Sequence, residues 1–157
     1  MRSLLALVAV GIALCQACSS AEAIYKKGQV WSYNSAASAD SHITVLDVRR
    51  DSRYGQVVFI AVDGLNIHTP DQREIHAVHS IPFSRDALDR SVATLLRTQQ
   101  EIEGTRPADI EGPSYEEWKR MRGNAQTSTV ADFLGSLKNL KGPVRYDPPQ
   151  PNGPRSS

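Results

Sequence analysis

Four histidines, His42, His68, His76 and His79, are the side chains of this 157-residue chain best suited to proton transfer or metal ligation near neutral pH. A zinc centre needs three or four converging ligands. His76 and His79 stand three apart, a spacing that places two side chains on one face of a helix but on opposite faces of a strand. The local pattern reads as a strand, so this pair is not expected to chelate. His79 is expected instead at the base of a helix that begins after Ser84. Contact between His68 and His76 on adjacent strands is the arrangement that would favour a metal, which makes His68, His76 and His79 the candidate metal residues. No cofactor is expected.

Other chemistries find less support. No G-x-S-x-G nucleophile turn, glycine-rich phosphate loop or dinucleotide fingerprint occurs. Ser84 has the position of a helix cap, and Asp63-Gly64 reads first as a turn. The carboxylates Glu101/Glu103 and Glu116-Glu117 read as solvated faces and caps. Trp31 and Tyr33, with Tyr25 nearby, are the candidate binding surface if exposed. Burial beneath helices is the expectation, because only 6% of the chain is aromatic.

The elements that would position these residues fall into two halves. In the first, strand patterns run over 29–33, 43–48, 57–62, 65–68 and 74–81. Val57-Val58-Phe59-Ile60-Ala61-Val62 is apolar throughout, as a strand covered on both faces must be. In the second, a helix over 84–96 is expected from the Ser84 cap, a Phe83/Leu88 staple and the stripe Leu88, Val92, Leu95, Leu96. Ser114-Tyr115-Glu116-Glu117 is a capping box that opens a short helix. Thr129 caps a third helix striped by Val130, Phe133, Leu134 and Leu137. Residues 99–112 read as a linker. The predicted fold is α+β: a curved antiparallel sheet of about five strands, with a partly open barrel as its variant, followed by three helices.

The order Gly28-Gln29-Val30-Trp31-Ser32-Tyr33, then Ile43-Thr44-Val45-Leu46, then Ile60-Ala61-Val62-Asp63-Gly64-Leu65-Asn66-Ile67, then His79-Ser80-Ile81-Pro82-Phe83-Ser84, resembles a family of small uncharacterised bacterial proteins. Tyr115-Glu116-Glu117-Trp118 and Val130-Ala131-Asp132-Phe133 are similar to it too. The resemblance spans about residues 25–138. It implies one compact fold and no activity, cofactor or catalytic residue.

Residues 1–23 read as an export signal: Arg2, an uncharged apolar core over 4–14, and a small-x-small cleavage site at Ala21-Glu22-Ala23. The core is too short to span a bilayer, which takes roughly 20 apolar residues. Cleavage after Ala23 removes 23 of the 157 residues and leaves 134. Both cysteines, Cys15 and Cys18, leave with the signal, and thiol chemistry with them. The rival reading is a lipoprotein signal cut before Cys18, which would then carry lipid; Ala17 and Ser19-Ser20 suit it, Cys15 and Gln16 do not. The domain is expected over 24–141. Residues 142–157 hold five of the nine prolines and are expected to form a disordered or extended tail. Eighteen basic residues face seventeen acidic ones, without the excess that nucleic-acid binding needs. The expectation is therefore an exported, periplasmic or secreted protein that touches the membrane only through its signal or a lipid. It would act without catalysis on another envelope protein, in an accessory or immunity-like role. A small His-based metal enzyme and a ligand-binding module with a pocket between sheet and helices are the alternatives.

Overall fold

The computed structural model describes residues 25–98 and 108–141; the expected signal with Cys18 and the expected tail lie outside them. Eight strands and three helices follow in chain order: β1 (Val30–Tyr33), β2 (His42–Asp51), β3 (Gly55–Asp63), β4 (Ile67–His68), β5 (Glu74–Ile75), β6 (Val78–Ser84), α1 (Arg85–Asp89), β7 (Val92–Arg97), β8 (Ile110–Glu111), α2 (Tyr115–Arg120) and α3 (Val130–Leu137). Six strands form one open sheet in the order β7-β1-β2-β3-β6-β8, and β4 pairs with β5 in a separate hairpin. All pairings are antiparallel except β6 with β8.

The class is α+β, but the main sheet has six strands where about five were expected, and it does not close into a barrel. β3 lies inside the sheet, and Val57 to Val62 are all buried. Strand alternation divides them between two cores. Val58, Ile60 and Val62 meet Leu88 of the α1 segment and Val130, Leu134 and Leu137 of α3. Val57 and Phe59 meet Trp118 of α2 on the opposite face. Two-sided cover is why this segment has no polar alternation.

The helix expected over 84–96 is corrected. Ser84 does cap a helix, its side chain accepting from the Ala87 amide, but that helix stops at Asp89. The buried Ser91 ends it: its hydroxyl donates to the Ala87 carbonyl at 2.7 Å and accepts from the Val130 amide at 2.9 Å. The chain then turns into β7, which pairs with β1. The stripe Val92, Leu95, Leu96 has helical spacing, but over so few residues it does not exclude a strand. The bare outer edge of β1 decides between them, since its amides and carbonyls need partners.

Two further expectations change. The strand over 74–81 is broken at His76-Ala77 into β5 and β6, and part of the 99–112 linker becomes β8. Both caps of the later helices are present. Ser114 and Glu117 form the reciprocal capping box, and the Thr129 side chain accepts from the Asp132 amide.

Candidate functional site

The candidate metal histidines separate into two places. In the β4–β5 hairpin the register sets His68 opposite Glu74, with Ile67 and Ile75 buried beneath. His68 Nε2 lies 3.2 Å from one Glu74 oxygen, and His76 Nε2 lies 3.4 Å from the other. His76 Nδ1 also faces the Leu65 carbonyl at 3.3 Å. The β4–β5 hairpin thus sets His68, on β4, and His76, just past the end of β5, on either side of one carboxylate. Each oxygen of Glu74 serves a different ring, so the three groups do not point at one centre. Among the described residues no three His, Asp or Glu side chains are placed to hold a metal ion.

His79 lies elsewhere. Ile60 pairs with Ile81 but Val62 with Val78, so β6 carries one extra residue, and Ser80 takes a left-handed φ of 58°. This bulge keeps Val78, Ile81 and Phe83 in the core and re-aims His79. The imidazole is buried; its Nε2 faces Asp63 at 3.6 Å and its Nδ1 faces Glu111 at 3.9 Å. Both separations exceed hydrogen-bond length, and Nε2 has no hydrogen-bond partner among the described residues. The expected place at the base of the Ser84 helix is therefore corrected: His79 sits toward the other end of β6, under β8. Gly112 lets the chain pass there, since a Cβ would stand 2.4 Å from the Ser80 carbonyl oxygen. Asp109 fixes the same crossing by accepting from the amides of His76 and Ala77.

Of the candidate aromatic surface, Tyr33 is buried and its hydroxyl shares a 2.6 Å hydrogen bond with Ser41. Trp31 is half-buried, edge-on to Tyr25 at 5.8 Å. Burial pushes the Tyr25 phenol well above its ordinary range, and the Asp89 carboxylate that accepts its proton at 2.7 Å, with its negative charge, adds to that. These rings are the core of this end of the sheet, so the reading of Tyr33 as surface is not supported by its position.

Concavities among the described residues include a shallow one of about 330 Å³ along Leu95, Leu96, Arg97 and Thr98. An open cleft of about 560 Å³ lies between the β2–β3 turn and α1, lined among others by Arg50, Tyr54, Gln56 and Arg85. A cavity of about 90 Å³ lies between sheet and α3, under Ala131, Leu134 and Gly135 and over Leu65 and Ile67.

The surface that sequence reasoning missed is β7. It forms one edge of the main sheet, and five of its six residues are exposed. Leu95 and Leu96 are 37% and 52% exposed. The edge is irregular: the pairing with β1 shifts register between Val30 and Trp31 and again between Trp31 and Tyr33, so bulges flank Leu95. Reading 84–96 as a helix hid it, because that pattern turns all these leucines inward. On the other side of the sheet, β8 pairs with β6 at Val78 and His79, and farther along β6 Gln126 exchanges backbone hydrogen bonds with Pro82 and Ser84.

No family model, curated protein or solved structure matches this chain. Among the described residues no helix is long and apolar enough to cross a membrane.

Proposed function

We propose that this protein is exported to the envelope and acts there by binding a polypeptide, in an accessory or immunity-like role, rather than by catalysis. The observation that carries the reading is the β7 edge, unpaired on its outer side among the described residues, with Leu95 and Leu96 exposed. Unpaired edges receive strands from other chains, and monomeric proteins usually protect them with Lys or Pro. Val92 to Leu96 contains neither. Export rests on residues 1–23 and includes the alternative of a lipid on Cys18.

The test is capture from envelope extracts with the full chain and with a double variant, Leu95→Lys with Leu96→Lys. A partner held by the parent chain and lost by the variant supports the reading. Equal capture by both, or none under several salt conditions, overturns it. A second reading as a ligand module has the 90 Å³ cavity in its favour. That volume admits one small aliphatic group, well below the roughly 300 Å³ of small-molecule sites. The metal reading gains only the Glu74 bridge between His68 and His76, and elemental analysis of the purified protein decides it.

A further inference from the structure

We infer that His79 is a proton-operated latch: as imidazolium it fastens β8 to the rest of the sheet, and as neutral imidazole it lets β8 open. The latch is separate from the β7 edge and does not depend on what binds there.

The site combines burial with two carboxylates. His79 is 9% exposed, and its ring lies between Asp63 of β3 and Glu111 of β8. Nε2 faces the first at 3.6 Å and Nδ1 the second at 3.9 Å. A neutral imidazole carries one N–H and one lone pair, so one of its nitrogens always turns a lone pair toward a carboxylate. Imidazolium donates from both. Shifts of about 1 Å then bring both contacts to the length of a charge-assisted hydrogen bond. Nε2, buried without a hydrogen-bond partner among the described residues, gains one. The Glu111 side chain is 66% exposed and has room to make its shift.

Other titratable groups near the site have other engagements. His42 stands opposite Asp63 in the β2–β3 register, with its Nδ1 at 2.9 Å from the Asp40 carbonyl. Asp109 accepts from the amides of His76 and Ala77, and His76 Nε2 faces Glu74.

A short seam holds β8. It pairs with β6 over two residues, Val78 with Ile110 and His79 with Glu111. The Gly112 amide donates to the His79 carbonyl at 2.8 Å, Ser80 Oγ donates to the Pro113 carbonyl at 2.8 Å, and Ile110 is the one buried side chain of the strand. His79 therefore gives β8 both a backbone acceptor and a ring that faces Glu111, and the charge on that ring acts on the seam itself. Elements with few buried apolar contacts open at the lowest cost in free energy, so one charge-assisted hydrogen bond changes the opening measurably.

Hydrogen exchange of the Gly112 amide, followed by NMR from pH 5 to 8, reads the latch. The Gly28 amide, bound to the Val45 carbonyl ahead of β1, is the reference. Imidazoles change charge in that range, and the ring C–H shifts of His79 report when it does. The protection of Gly112 relative to Gly28 should fall by about tenfold as His79 loses its proton. Glu111→Gln, an exposed change that keeps the side-chain shape, should hold it at the low level at every pH. That variant leaves His76 and Glu74 in place, so a pH dependence arising from them would survive it. His79→Gln should flatten the profile too, with circular dichroism to check that it is folded. Protection that stays level while the His79 ring titrates overturns the latch. So does a ring that keeps one charge state throughout, or a pH dependence undiminished in Glu111→Gln.

Discussion

Gly123→Ala should destabilise this protein severely although it adds only one methyl group. A Cβ at Gly123 would stand 2.4 Å from Trp118 Cδ1 and 2.7 Å from its Nε1. Carbon atoms prefer about 3.5–4.0 Å, so the indole would have to retreat by about 1 Å. It has nowhere to go. Trp118 is 1% exposed, edge-on to Phe59 at 5.9 Å and stacked on Tyr115 at 6.3 Å. Its Nε1 donates to the Asn124 carbonyl at 3.2 Å. The turn cannot yield easily either, since Arg53 donates to the carbonyls of Arg122 and Gly123. Overpacking costs about 1–3 kcal/mol and a lost hydrogen bond about 1 kcal/mol, so a loss of about 2–3 kcal/mol is expected. For a domain of this size that lowers Tm by on the order of 10–20 °C. Urea and thermal denaturation measure it, with Gly135→Ala as the control. A Cβ at Gly135, inside α3, meets nothing within 4 Å. The same chemical change there should stabilise by about 0.5–1 kcal/mol. Gly123→Ala in a Trp118→Phe background should cost less than in the parent, because the smaller ring leaves room. Equal effects at the two glycines, or full additivity with Trp118→Phe, would refute the steric argument.

Three further outcomes follow from particular groups. Ser114→Ala should cost about 1 kcal/mol by removing the α2 cap. The Ser114 amide, and then its hydroxyl, hold the Glu117 carboxyl below its ordinary value. That contribution is present above the ordinary carboxylate range and lost as pH falls through the lowered value, and an NMR titration of Glu117 should move upward in the variant. The Tyr25 phenol is held protonated when folded, mainly by burial. Its unfolded counterpart ionises near about pH 10, so stability should fall as pH rises past that point, and Tyr25→Phe should flatten the fall in an alkaline denaturation series. Mass spectrometry of the exported protein should find a chain beginning at Ile24; a diacylglyceryl-modified Cys18 at the N-terminus would replace cleavage after Ala23 with lipidation.

Segments whose fate is local were legible in the sequence. Ser84, Ser114 and Thr129 all cap helices, because a cap needs only a hydroxyl and an amide three residues away. Val57 to Val62 announced a strand buried on both faces, because its composition left no polar side to expose. Asp63-Gly64 announced its turn, and Gly64 does take a positive φ of 71°. Glu74 went unnoticed between His68 and His76, since cross-strand register depends on how the hairpin closes. The bulge at Ser80, which carries His79 to Asp63 and Glu111, leaves no mark that the sequence displays.

By itself the sequence determined the α+β class, the capping of the helices and the two-sided burial of β3, because these follow from spacing and polarity within a few residues. The proposed export rests on the sequence pattern of residues 1–23. Tertiary structure alone decided that Val92–Arg97 is a strand. Its apolar residues stand at helical spacing, and the hydrogen bonds offered by the unpaired edge of β1 overrode it. That decision carries two leucines from an expected helix stripe onto an exposed sheet edge, and with them the surface on which this protein's binding is proposed.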